Sequence, residues 1–180
     1  MDDGNTPHIL LLPCLKDCMN YWLLKSEPDE LSIDDLAARP SCGVSWTGVR
    51  NYQARNFMRE MCIGDMAFFY HSSCAVVGIA GIVEVVSAAY PDSTQFDASS
   101  KYFDPKVTQD KPRWLAFDVR FVRKTTFVPL RLLREKMELK DMRLLAKGSR
   151  LSITPVTAVE WNCIAQIGHG NSEQKGARPV

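Results

Sequence analysis

The chain has 180 residues, 46% of them hydrophobic and 24% charged, with 22 basic and 21 acidic residues and a formal net charge of +1. These values suit one globular domain, with or without tails, and exclude a collagenous, coiled-coil or wholly disordered chain. No apolar run approaches the roughly 18 residues that a membrane-spanning helix needs, so no membrane partner is expected.

At the start, Ile9 to Leu15 is a short apolar run, but Asp2 and Asp3 stand where a signal peptide needs positive charge, which argues against export. A second methionine, Met19, lies just before the first convincing strand. Residues 1–19 are therefore expected to be a poorly ordered extension, residues 20–166 the folded domain, and residues 167–180, polar and Gly-rich, a disordered tail.

Tyr21 to Lys25 is a compact apolar run with aromatic residues and reads as a buried strand that Pro28 stops. Ser32, with Asp35 three residues on, is a capping pattern for a short helix. Asn51 can cap a second helix to Met61, with Ala54, Phe57, Met58 and Met61 on one apolar face and Arg55 and Arg59 on another. Residues 65–71 and 76–86 read as strands. In the second of these, Gly78 and Gly81 suggest a bulge, a barrel corner or a close approach. Residues 90–112 form a long connection, of the kind that is functional or disordered. Residues 113–122 alternate as a strand, residues 129–136 and 139–146 read as short helices, and residues 150–154 as a last strand. A last helix follows over residues 155–164, with Pro155 near its first turn. The balance is α+β around a small mixed sheet or barrel.

The charges are unevenly placed. Residues 1–40 hold 3 basic and 8 acidic residues, whereas residues 101–150 hold 14 basic and 6 acidic. Such a block fits a positive face for an anionic partner and equally fits an ordinary solvated surface. The cysteines stand at 14, 18, 42, 62, 74 and 163, with no Cys-x-x-Cys pair and no histidine at metal-ligand spacing. No metal and no cofactor are therefore expected. Cys42, Cys62, Cys74 and Cys163 read as buried free thiols.

Four clusters could carry chemistry. Lys25-Ser26-Glu27 closes the first strand, and Trp46 to Tyr52 combines a stacking ring with a glycine turn and a helix start. Tyr70-His71-Ser72 ends another strand, and Lys106 through Arg113-Trp114 sets an aromatic ring inside the basic block. Each also has a plain structural reading: a solvated strand end, a core tryptophan, a satisfied histidine. There is no Gly-x-Ser-x-Gly elbow, phosphate loop or dinucleotide fingerprint.

Together these strings resemble the EVE domain family. They are residues 21–29 (YWLLKSEPD), 46–56, 64–72, 90–92, 102–106, 112–114 and 150–156 with Glu160-Trp161, and they span about residues 20–165. The resemblance implies a PUA-like fold, a small β-barrel with flanking short helices, related to YTH domains, which read 6-methyladenine in RNA through an aromatic cage. It implies a reader of a modified base, cytosine or adenine, in DNA or RNA. The implied base site comprises Lys25, Ser26, Glu27, Trp46, Thr47, Gly48, Val49, Asn51, Tyr52, Tyr70, His71, Ser72 and Trp114, with Arg50, Lys106, Arg113 and Arg150 on phosphate. The chain departs from the family pattern at Thr47, where an Asp is usual, and at Val77 and Phe103. A competing expectation is an RNA or modified-nucleoside hydrolase of the ASCH-type PUA-like group, built on Lys25, Glu27 and His71. A further one is an interaction module with a vestigial pocket. The expected location is cytoplasmic, or nuclear in a eukaryote.

Overall fold

The computed structural model describes residues 19–169, so the expected extension before Met19 and the tail beyond His169 lie outside the described residues. Seven strands form one mixed sheet: β1 (Tyr21–Ser26), β2 (Val44–Trp46), β3 (Met66–His71), β4 (Gly78–Val85), β5 (Tyr90–Pro91), β6 (Leu115–Pro129) and β7 (Ile153–Val156). Their spatial order is β2-β6-β4-β3-β1-β7, with β5 paired to β6 at one side. Only β1 and β3 pair in parallel among these strands. The sheet curls into a half-barrel flanked by short helices, the expected α+β class.

Strand alternation divides the interior in two. Trp22, Leu24 and Phe69 point into one cluster with Ile33, Trp46, Met58 and Phe117. Leu23, Phe68 and Tyr70 point into the other with Ile79, Leu133, Leu139 and Ile164. Successive side chains on a strand face opposite ways, so one sheet serves two cores.

Helix α1 (Ile33–Ala37) starts on a capping box in which Ser32 and Asp35 satisfy each other's backbone N–H groups. In α2 (Tyr52–Glu60) the Asn51 side chain accepts from Gln53 N and Ala54 N. The two strand glycines do what such residues suggest: a Cβ on Gly78 would lie 2.4 Å from the Val128 carbonyl, and one on Gly81 2.6 Å from Ile33. The β4–β6 register shifts between Ile79 and Gly81, in the stretch that the two glycines bracket, and again between Ile82 and Val83.

Several boundaries differ from expectation. Strand β2 has no counterpart in the sequence reading; at three residues it carries too little periodicity to show. Strand β6 runs on to Pro129, and α3 covers only Leu130–Arg134. Residues 139–146, expected as a helix, hold one 3-10 turn, Arg143–Leu145, and the last residue of another, Met137–Leu139. Pro155 lies inside β7, an edge strand where a missing donor is tolerated, and not in the last helix. That helix, α4 (Ala158–Gly168), is capped by Thr157 and Glu160, and it extends into residues assigned to the tail. Cys42 is exposed, not buried, and Cys62 is disulfide-bonded, not free; Cys74 and Cys163 are free thiols.

Candidate nucleic-acid interface

The parallel pairing of β1 with β3 sets Ser26 beside His71 and Lys25 beside Tyr70. Ser26 and His71 share the face of Leu24 and Phe69, and Lys25 and Tyr70 share the other. Ser26 Oγ donates to the Leu31 carbonyl at 2.7 Å, which folds the segment after β1 back over the strand end. The Ser26 carbonyl accepts from Ser72 N and Ser72 Oγ. The imidazole of His71 packs edge-on against Phe69, and its Nε2 accepts from Ile33 N at 3.2 Å. The ring is therefore neutral, and burial pulls its pKa down. Glu27 accepts from Ser73 Oγ at 2.9 Å. Burial likewise lowers the Lys25 ammonium and raises the Tyr70 phenol.

A hollow of about 280 Å³ opens on the Ser26 side. Its walls are Ser26, Glu30 and Leu31 from the β1–α1 segment, Val44, Ser45 and Trp46 from β2, then Thr47 and Tyr102. Trp46 is only 6% exposed, held edge-on to Phe69 (5.7 Å, 83°) and near-parallel to Phe117 at 6.4 Å. Its indole N–H has no protein acceptor among the described residues and is not one of the sealed, unpaired atoms. Tyr102 faces Gly48, whose φ is +79° and on which a Cβ would fall 2.6 Å from the Tyr102 ring. Only glycine suits both the dihedral and the gap. The Tyr102 hydroxyl donates to Glu30 at 2.9 Å, and Lys101 forms an ion pair with the same carboxylate.

Beneath Tyr102 lies a polar knot. Asp92, fully buried, accepts from Gly48 N (3.0 Å), Arg50 Nη1 (2.7 Å), Thr94 N (2.9 Å) and Thr94 Oγ1 (2.6 Å). Burial alone would raise its pKa; the hydrogen bonds from Thr94, Arg50 and Gly48 outweigh that and hold the carboxyl below its usual range. Arg50 also grips the Tyr102 carbonyl through Nε (2.8 Å) and Nη2 (2.6 Å), and it lies over the rings of Tyr102 and Trp114.

Several sequence-implied residues therefore take other places. Arg50 is an internal brace neutralised by Asp92, not a free phosphate cation. Trp114 is 6% exposed, with Tyr52 against it (5.0 Å) and its N–H given to Asp104 (2.8 Å), so it offers no open plate to a base. Val49 is core, and the Asn51 oxygen is spent capping α2. Lys25 and Tyr70 face away from the hollow. Arg113 pairs with Asp104 at 3.2 Å, whereas Lys106 and Arg150 are exposed with no ion pair among the described residues. The trio of the hydrolase expectation is not assembled: Lys25 is on the far face, and His71 is occupied with α1. The basic block is also dispersed, because Lys101 and Lys124 pair with Glu30 and Asp34 of the acidic N-terminal part.

Glu30, Leu31, Val44, Ser45 and Tyr102 are wall residues that sequence reasoning missed. Each lies within a string already singled out or within two residues of one, the only signal that could have found them. Two other hollows compete in size. One of about 290 Å³ adjoins Trp22, but that indole is 3% exposed and bonded to the buried Asp65 at 2.8 Å. One of about 400 Å³ beside α4 has no aromatic wall. Among the described residues no group of three His, Cys, Asp or Glu could hold a metal, and no helix is long and apolar enough to cross a membrane.

Comparison with known proteins adds to this geometry. The family model of the EVE domain matches residues 20–167. Thymocyte nuclear protein 1 of Homo sapiens is 42% identical over 172 residues, covering 86% of this chain and 76% of that protein. The crystal structure of human THYN1 protein in complex with DNA containing 5-methylcytosine superposes with a TM-score of 0.80 at 40% identity, covering 87% of this chain and 99% of that one. A YTH domain of Zygosaccharomyces rouxii in complex with N6-methyladenosine RNA has a TM-score of 0.51 at 16% identity over 92% of each chain, a likeness of fold alone. The PUA-like architecture expected from the sequence is thus the one observed, and its fold is similar to that of a YTH domain.

Proposed function

We propose that this chain, which belongs to the EVE domain family, binds nucleic acid and reads a modified base turned out of its strand into the hollow beside Trp46. The carrying observation is the hollow itself: two rings, Trp46 and Tyr102, with short polar groups from Ser26 and Thr47 and apolar contact from Leu31 and Val44. A flat base needs such faces for stacking and such groups for its edge. The complex of the human relative with 5-methylcytosine DNA makes a methylated cytosine the first candidate. Glu30 suits the exocyclic amine of cytosine, which donates to carboxylates. A methyl on the base would meet Leu31 or Val44, a contact worth about 1–3 kcal/mol.

The binding unit in this reading is residues 20–166, and in a nucleated cell its place is the nucleus, by likeness to thymocyte nuclear protein 1. The test is a titration of matched oligonucleotides with and without 5-methylcytosine, followed by anisotropy. Wild-type protein is expected to prefer the modified strand. Thr47→Trp, at an exposed position on the rim, fills the mouth and should abolish the preference without loss of fold. Equal affinity for both strands in the wild type overturns the reading.

A further inference from the structure

With Arg50 consumed by Asp92, the cations that meet the strand must lie elsewhere. Arg55 and Arg59 stand four residues apart on one face of α2. Among the described residues no carboxylate lies within 4.0 Å of either. Arg55 lies 4.9 Å over the Tyr52 ring and donates to the Arg113 carbonyl at 3.2 Å, so three arginines converge. Burial chiefly, and after it the charges of Arg59 and Arg113, lower the Arg55 pKa. Of the three, only Arg113 has an acidic partner among the described residues, Asp104. Like charges at this helical spacing destabilise a helix when nothing compensates them. The arrangement is also continuous with the hollow: Tyr52 packs on Trp114, Trp114 lies under Arg50, and Arg50 lies over Tyr102, which forms the wall.

We infer that the Arg55–Arg59 face of α2, with Arg113 at its edge, is the track for the sugar-phosphate backbone of the DNA strand whose turned-out base enters the hollow. This rests on the base-reading function proposed above and adds where the strand runs. Two guanidiniums that have no carboxylate partner among the described residues meet phosphates of the strand, while the hollow alone decides which base is held. The track therefore contributes affinity without sequence or modification preference.

The test measures binding of a short single-stranded oligodeoxynucleotide, with and without one 5-methylcytosine, across a salt series. Arg55→Gln with Arg59→Gln is expected to weaken both strands by the same factor, about tenfold at low salt, and to flatten the log K against log salt slope by about 1 to 1.5. The ratio between the strands should stay at its wild-type value. Arg59→Gln alone, at an exposed position, guards against misfolding and should give about half the slope change. An unchanged slope in both variants, with modification preference intact in the wild type, overturns the track and leaves the base reading standing. A wild type without preference, whose salt slope still falls in the double variant, overturns the base reading and keeps the track.

Discussion

Trp46 and Trp114 are equally hidden, each 6% exposed, yet their surroundings differ. Trp114 is closed on every side that matters: Tyr52 and Arg50 cover it, and Asp104 takes its N–H. Trp46 is backed by Phe69 and Phe117 but borders a hollow, and its N–H has no protein acceptor among the described residues. Fractional exposure does not separate a stacking wall from a structural ring. What separates them is whether the polar edge is already satisfied.

The largest expected effect tests how firmly the closed side is held. Asp92→Ala leaves the Arg50 guanidinium and the Gly48 amide without their acceptor, and urea denaturation should show a loss of about 3 kcal/mol. That lies at the low end for a broken buried pair because the Arg50 side chain retains 21% exposure. A smaller effect sharpens the comparison directly. Trp114→Phe keeps a ring but removes one hydrogen bond from Asp104, whose ion pair with Arg113 remains, and should destabilise by about 1 kcal/mol while leaving base preference unchanged. Trp46→Phe breaks no protein hydrogen bond and should instead reduce the preference for the modified strand. If the two substitutions exchange these phenotypes, the distinction between the rings is wrong.

The smallest effect concerns His71, which shares the Ser26 face of the sheet but does not line the hollow. The neutral His71 ring accepts from Ile33 N, at the first turn of α1. Burial lowers its pKa, and the charge of Asp34 only partly restores it, so the folded ring binds fewer protons than the unfolded one. The stability that the neutral ring contributes is full above about pH 6.5 and is lost as pH falls from there through the folded value. His71→Gln keeps an acceptor that does not titrate, so the fall in Tm between neutral and mildly acid pH should be shallower in this variant.

Much of the frame was legible because periodicity and capping are local. Asn51 with Ala54, Phe57 and Met58 announced α2, and Ser32 with Asp35 announced α1. Gly78 and Gly81 announced irregular pairing in β4. The site was legible only as a set of strings. That Lys25 and Ser26 serve opposite faces follows from strand alternation. Which of them meets the hollow depends on where β2 docks, and a three-residue strand leaves no periodic trace. The fate of Arg50 was hidden for a different reason: its partner Asp92 lies 42 residues away, in a connection whose course only tertiary packing decides.

The hydrogen bonds of Arg50 fall on the main-chain oxygen at residue 102, and its ring receives only the guanidinium's face. Fastening and lining are thus done by separate atoms of one amino acid. A different side chain could be installed there, retuning what the chamber accepts, while the guanidinium clasp that moors the long connection stays as it is.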